Sequence, residues 1–198
     1  MNRIMSNIFQ TVEQEAFKAG IDPRTKESRA WFMRKLKSMK NVSANALMKD
    51  DSLTIANKQL IGSMNMFFYD PKTKDTLPFY DRFPLTVIVG PAEGGFYGLN
   101  LHYLPMILRA KLLDALMDNT NNKKFNDTTK FRLTYKMLQG TSKTKWFKPC
   151  FKHYLTSQMK SKFARVPANE WEIATFLPVA RWEKGSQSTV YKNSREMI

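Results

Sequence analysis

The sequence is poor in the residues that most often build catalytic and metal centres, and each shortage closes off a class of function. It holds a single cysteine, Cys150, so no internal disulfide can form, and the chain is expected to fold in a reducing cytoplasm. Its two histidines, His102 and His153, fall on different predicted elements with no cysteine, aspartate or second histidine at ligand spacing, so neither a metal site nor a cofactor is expected. Eight glycines are scattered without forming a phosphate-cradling loop, and no nucleophile elbow or paired-carboxylate spacing occurs. The expectation is a protein that is not an enzyme. No charged-then-apolar leader stands near Met1 and no long apolar run follows, so neither an export signal nor a membrane span is expected.

Acidic residues are the other shortage. Seventeen Asp and Glu stand against 32 Lys and Arg, a formal charge of +15 and a pI near 9.9. The hydrophobic share of 42% and aromatic share of 13% are ordinary for a folded domain, so the mean hydropathy of -0.46 reflects added charge and not a missing core. The charge is unevenly placed: +5 over residues 1–60, −1 over 61–120 and +11 over 121–198. A neutral centre between two cationic flanks reads as a scaffold presenting binding surfaces to a polyanion.

Along the chain, residues 6–19 place Phe9, Val12 and Ala16 on one helical face before Gly20. A basic helix follows Asp22-Pro23, with Trp31, Phe32, Leu36 and Met39 set among Arg29, Arg34, Lys35, Lys37 and Lys40. Residues 41–61 read as a polar linker that drapes over a partner or over the domain. From Gly62 the texture turns to strands, Met64–Tyr69, Leu85–Val89 and Phe96–Tyr103, with Gly94-Gly95 marking a hairpin. Pro105 opens a helix to about Asp118 on a leucine stripe, and Asn126-Asp127 caps another that ends at Gly140. A further helix is expected from Pro149, because Phe151, Leu155, Met159 and Phe163 recur every four residues. The last fifteen residues are expected to be loose, or ordered only by a partner. The expected class is α+β: a small antiparallel sheet or half-open barrel over about 62–104 packed with helices. A basic helical extension and linker (1–61) precedes a core domain (62–183), and a tail (184–198) follows.

The most informative stretch runs from Lys130 to Arg165. It carries Lys130, Arg132, Lys136, Lys143, Lys145, Lys148, Lys152, Lys160, Lys162 and Arg165 with no acid between them. A solvated face normally mixes both signs, so an acid-free run points to phosphates, whose neutralisation releases condensed counterions. Trp146 and Phe147 are the aromatics best placed to stack on a base, whereas Phe151 and Phe163 read as core. Together with Arg34, Lys35 and Lys37, these cations and Trp146 form the expected DNA-binding set. Asp70, Asp81 and Glu93 are the candidate magnesium ligands of a nuclease, but they sit beside Pro71, Pro84 and Gly94, where turn chemistry accounts for them.

Four segments carry a resemblance: residues 67–84 (FFYDPKTKDTLPFYDRFP), 95–105 (GFYGLNLHYLP), 147–155 (FKPCFKHYL) and 169–174 (NEWEIA). They resemble a set of virion proteins from T-even-like tailed bacteriophages described as DNA-end protectors. The resemblance implies a non-enzymatic protein of the virion, present in the host cytoplasm during assembly. It would bind the terminus of packaged double-stranded DNA and shield it from host exonuclease. The same residues suit a second reading, a structural subunit of the neck, tail or baseplate that locks onto other virion proteins; no membrane enters either reading.

Overall fold

The computed structural model describes residues 7–120, 136, 137, 140 and 145–197. Helix α1 (Ile8–Lys18) buries Ile8, Phe9, Val12 and Ala16 along one stripe. Its first turn is anchored by Asp50, whose Oδ2 accepts from the Ile8 amide at 2.6 Å, a carboxylate on the positive end of the helix. Helix α2 (Lys26–Ser38) begins in a capping box: the Thr25 hydroxyl accepts from the Ser28 amide, and the Ser28 hydroxyl accepts from the Thr25 amide. Residues 41–61 hold the short helix α3 (Ala44–Leu47) and strand β1 (Thr54–Ala56), with Leu47 and Leu53 buried. Of the two courses expected for this stretch, it takes the one over its own domain.

Strands β2 (Met64–Met66), β3 (Tyr80–Asp81), β4 (Leu85–Ala92) and β5 (Gly95–Asn100) follow, then a 3-10 turn at Leu101–Tyr103 and helix α4 (Met106–Thr120). After a 3-10 helix at Lys145–Cys150 come β6 (Phe151–Leu155), β7 (Phe163–Val166), helix α5 (Trp171–Phe176), β8 (Trp182–Glu183) and helix α6 (Gln187–Glu196). Six strands form one antiparallel sheet in the order β1-β7-β2-β4-β5-β6, and β3 pairs with β8 separately. The class is α+β. The sheet stays open, so the barrel alternative is set aside, and it recruits β1, β6 and β7 from outside residues 62–104.

Both faces of the sheet are buried. Met64, Met66, Leu85, Val87, Leu99, Ala164 and Val166 join one core cluster with Phe9, Leu36, Leu113, Trp171 and Val190, so helices from both ends of the chain close over that face. The other face carries Phe67, Tyr69, Ile88, Phe96, Tyr154 and Phe163. Here the Phe67 ring makes edge contacts with Tyr69, Phe96, Tyr154 and Phe163 at centroid distances of 5.3 to 6.2 Å. Strands β5 and β6 approach so closely that a Cβ on Gly95 would lie 1.8 Å from the Tyr154 carbonyl oxygen.

Two expectations are corrected. The helix expected from Pro149 is a pair of strands, β6 and β7, because an interval of four residues is also a multiple of the strand period of two. The tail expected to be loose is the helix α6, capped by the Ser186 hydroxyl accepting from the Thr189 amide and docked through the fully buried Val190. The helix expected over 126–140 lies outside the described residues apart from Lys136, Met137 and Gly140.

Candidate functional site

The cations assigned from sequence to a DNA surface separate into distinct environments. Arg34 and Lys37 are exposed on α2, while Lys35 is ion-paired with Glu15 of α1. Lys136, Lys148, Lys160 and Lys162 are exposed. Arg165 lies half-buried on β7 and donates from its guanidinium to the Lys58 carbonyl at 2.8 Å, so it ties down the chain between β1 and β2. Lys130, Arg132 and Lys143 lie outside the described residues; Lys145 and Trp146 belong to the 3-10 helix 145–150, where nothing is described of their side chains. Phe147, the second candidate for stacking, packs against the main core.

Lys152 is set apart from these surface cations. It stands on β6 opposite Gly98, with its Nζ 3.9 Å from the centroid of the Tyr103 ring. Burial pulls its pKa down to about 8. It lines a cavity of about 570 Å3 whose walls come from four parts of the chain: the 69–81 segment (Pro71, Leu77, Phe79), the end of the hairpin (Asn100, Tyr103), residues 149–155 (Pro149, Leu155) and the C-terminal segment. Ser194 and Met197 of the C-terminal segment close one side. Three of the four segments that carry the resemblance thus meet around one cavity.

Beside it lies a buried polar hub. Asp81 accepts four hydrogen bonds: Oδ1 from the Phe83 and Arg181 amides, both at 3.0 Å, and Oδ2 from Asn100 Nδ2 at 3.2 Å and His102 Nδ1 at 2.6 Å. Burial alone would raise the Asp81 carboxyl, but His102 and the two backbone donors outweigh it and hold the group below the usual carboxylate range. Burial, reinforced by the nearby Arg109 guanidinium, pushes the His102 ring below its ordinary value despite Asp81. The ring is therefore neutral with its proton on Nδ1. Its Nε2 is buried without a hydrogen-bond partner among the described residues.

Arg109, 1% exposed on α4, donates to the carbonyls of Leu104, His102 and Thr175 and to the Tyr191 hydroxyl. One side chain thereby gathers the turn before α4, α5 and α6. Asp81, His102 and Arg109 were not read as a group from sequence, since the only local signal was a pair of aromatic-flanked polar residues 21 positions apart. Asp81 lines the cavity, His102 and Arg109 brace the elements around it, and all three are buried. The Cys150 thiol is likewise closed off, and burial pushes it up to about 12.

Asp70 pairs with Lys74 at 3.0 Å, and the Glu93 carbonyl accepts from His153 Nε2 at 2.8 Å. Among the described residues no group of three or more His, Cys, Asp or Glu is arranged to hold a metal ion, and no helix is long and apolar enough to cross a membrane. Neither a curated protein nor a solved structure matches the chain. Over residues 2–196 the sequence matches the family described as the phage T4 terminal DNA protecting protein, and the chain belongs to that family.

Proposed function

We propose that the protein binds the terminus of packaged double-stranded DNA in the phage particle and shields it from host exonuclease without catalysing a reaction. Membership of a terminal DNA protecting family over nearly the whole chain carries this reading. The surface chemistry supports it, because Arg34, Lys37, Lys148, Lys160 and Lys162 are exposed and Lys148 to Lys162 lies in a stretch without a single acid. A non-enzymatic role agrees with the state of the polar groups: the Asp81 oxygens are all engaged, His102 is buried, and the Cys150 thiol is held protonated.

The test is an exonuclease protection assay on linear duplex. Wild-type protein and a triple variant, Lys143→Ala, Lys145→Ala and Lys148→Ala, are run side by side over a salt series. Wild type slows degradation, with a log–log salt dependence of about −0.9 per phosphate neutralised, and the triple variant protects less with a shallower slope by roughly one for each lost contact. Degradation unchanged by saturating wild-type protein refutes the protector role and leaves assembly with neighbouring virion proteins as the account of the basic surface.

A further inference from the structure

We infer that the cavity over Lys152 and Tyr103 is a pocket for a single deoxynucleotide carrying its phosphate, the terminal nucleotide of a DNA strand. The inference rests on the DNA-end reading above and adds where and how the end is held.

Three features point to this ligand chemistry. The first is an uncompensated cation: among the described residues no carboxylate lies within ion-pair distance of Lys152. Asp81 lines the same cavity, but its two oxygens already accept four hydrogen bonds and its side chain is 1% exposed, so it offers Lys152 nothing. A half-buried ammonium without an anion is costly, and an anionic ligand removes the cost. The depressed pKa of Lys152 is the same fact seen from the amine.

The second feature is the wall. Phe79 and Tyr103 lie 6.0 Å apart, and both are braced edge-on by Trp182, so their rings are fixed in place before any ligand arrives. Tyr103 is 6% exposed and carries the Lys152 amine on its face, so the half-buried Phe79 is the ring available to a base. Rigid aromatic surface next to a cation is the combination that single-stranded nucleic-acid sites use, the ring for the base and the amine for the phosphate. The third is size. About 570 Å3 falls within the roughly 300 to 1,000 Å3 typical of pockets for one small molecule, which admits one nucleotide and excludes a length of duplex. An end presents a nucleotide in that way at least cost, by fraying its last pair, whereas an internal nucleotide must be flipped out of the stack at about a few kcal/mol. The exposed Lys72 and His153 stand at the rim, where the next phosphate along the strand would pass.

The test uses the wild-type protein and an amine-acetylating pulse, with acetylation of each lysine read by mass spectrometry. The probes are 2′-deoxyadenosine 5′-monophosphate, deoxyadenosine, a hairpin duplex with one open 5′-phosphorylated end, and a covalently closed dumbbell of the same length. Acetylation of Lys152 is expected to slow about tenfold with the monophosphate or the open hairpin at ten times their dissociation constants, and to be unchanged by deoxyadenosine or the dumbbell. Exposed Lys148, Lys160 and Lys162 report general DNA contact. If the open hairpin covers them and leaves Lys152 reactive, the pocket is wrong while DNA binding stands. If neither DNA covers any lysine, the DNA-end reading fails and takes the inference with it. Equal protection of Lys152 by hairpin and dumbbell removes the terminus from the proposal. As an independent check, Lys152→Gln should weaken open-hairpin binding about tenfold, the worth of one charge-assisted phosphate contact, with dumbbell binding unchanged. A thermal melt equal to wild type qualifies the variant; if it melts early, the acetylation experiment on wild type decides alone.

Discussion

Replacing Asp81 isolates the hub that holds the cavity wall together, and the structure sets the size of the effect. In Asp81→Ala four donors lose their acceptor at once, and three of them, His102 Nδ1, Asn100 Nδ2 and the Phe83 amide, are fully buried with no water to turn to. Hydrogen bonds to a charged group contribute about 1.5–3 kcal/mol each, but the four are not additive, and the cost of burying the carboxylate disappears with it, which holds the loss well under their sum. The expected loss is therefore about 4 kcal/mol, or a melting temperature lower by roughly 8–16 °C for a chain of this length. Asp81→Asn keeps the shape and one acceptor oxygen, and His102 can move its proton to Nε2 and accept from the new amide; it should lose about half as much.

The pH dependence follows from the two depressed values. Asp81 contributes stability that is complete above the unfolded carboxylate pKa of about 4 and is lost as pH falls through its lower folded value. Below about 6.5 the unfolded chain also takes up a proton at His102 that the folded chain refuses, which erodes stability in the same direction. Urea unfolding followed by circular dichroism at pH 7.5, 5.5 and 3.5 measures both effects. The gap between wild type and Asp81→Ala should be widest at pH 7.5 and smaller, but still present, at pH 3.5, where loss of the carboxylate's contribution has only begun. A midpoint for Asp81→Ala within error of wild type at pH 7.5, or a gap that widens in acid, refutes the reasoning.

Glu170 titrates with the opposite sign. Burial, aided by Glu13 and Asp50, raises its pKa to about 7, and its Oε2 has no partner among the described residues. As pH rises from 4.5 toward 7 the unfolded chain releases a proton that the folded chain keeps, so the fold loses stability over that window, by roughly 2–3 kcal/mol when complete. Glu170→Gln should melt like wild type at pH 4.5 and higher than wild type at pH 8; equal melting at both values refutes the assignment. Gly95→Ala sets a Cβ against the Tyr154 carbonyl, which cannot move without parting β5 from β6, so a loss of about 3 kcal/mol in urea unfolding is expected, and a neutral result would mean the two strands are not so close.

The parts of the fold legible in the sequence are those where one local signal dominates. The hairpin β4–β5 is announced by a β-branched run, a Gly94-Gly95 turn and a second apolar run, and α4 by leucines at helical spacing behind Pro105. The strands β6 and β7 are not legible because Phe151, Leu155, Met159 and Phe163 satisfy both periods. That ambiguity has a chemical consequence at Lys152. On a helix it reads as one surface cation among ten, whereas on β6 it shares a face with Tyr154, two residues on, and is turned against the Tyr103 ring. Helix α6 escapes the sequence because it needs only Val190, Tyr191 and Ser194 to dock, too few apolar positions for a stripe. The Asp81 hub escapes for another reason: its partners sit at positions 83, 100, 102 and 181, and only the sheet and the β3–β8 pair bring them together.

Besides Lys152, the described cations named so far do three different things. Arg109 and Arg165 spend their donors on backbone carbonyls and hold elements in place. Arg29, Lys35, Lys74 and Arg82 are matched by Asp114, Glu15, Asp70 and Glu183, pairs at the surface that contribute little to stability and little to an external field. Arg34, Lys37, Lys148, Lys160 and Lys162 remain turned outward. Under the proposed DNA-end role, a substitution in the first group is expected to weaken DNA binding by loosening the fold, and one in the last by removing a phosphate contact; a binding assay alone reads them as the same loss. They part in the salt dependence, because a loosened fold lowers affinity at every salt concentration while a lost contact flattens the slope.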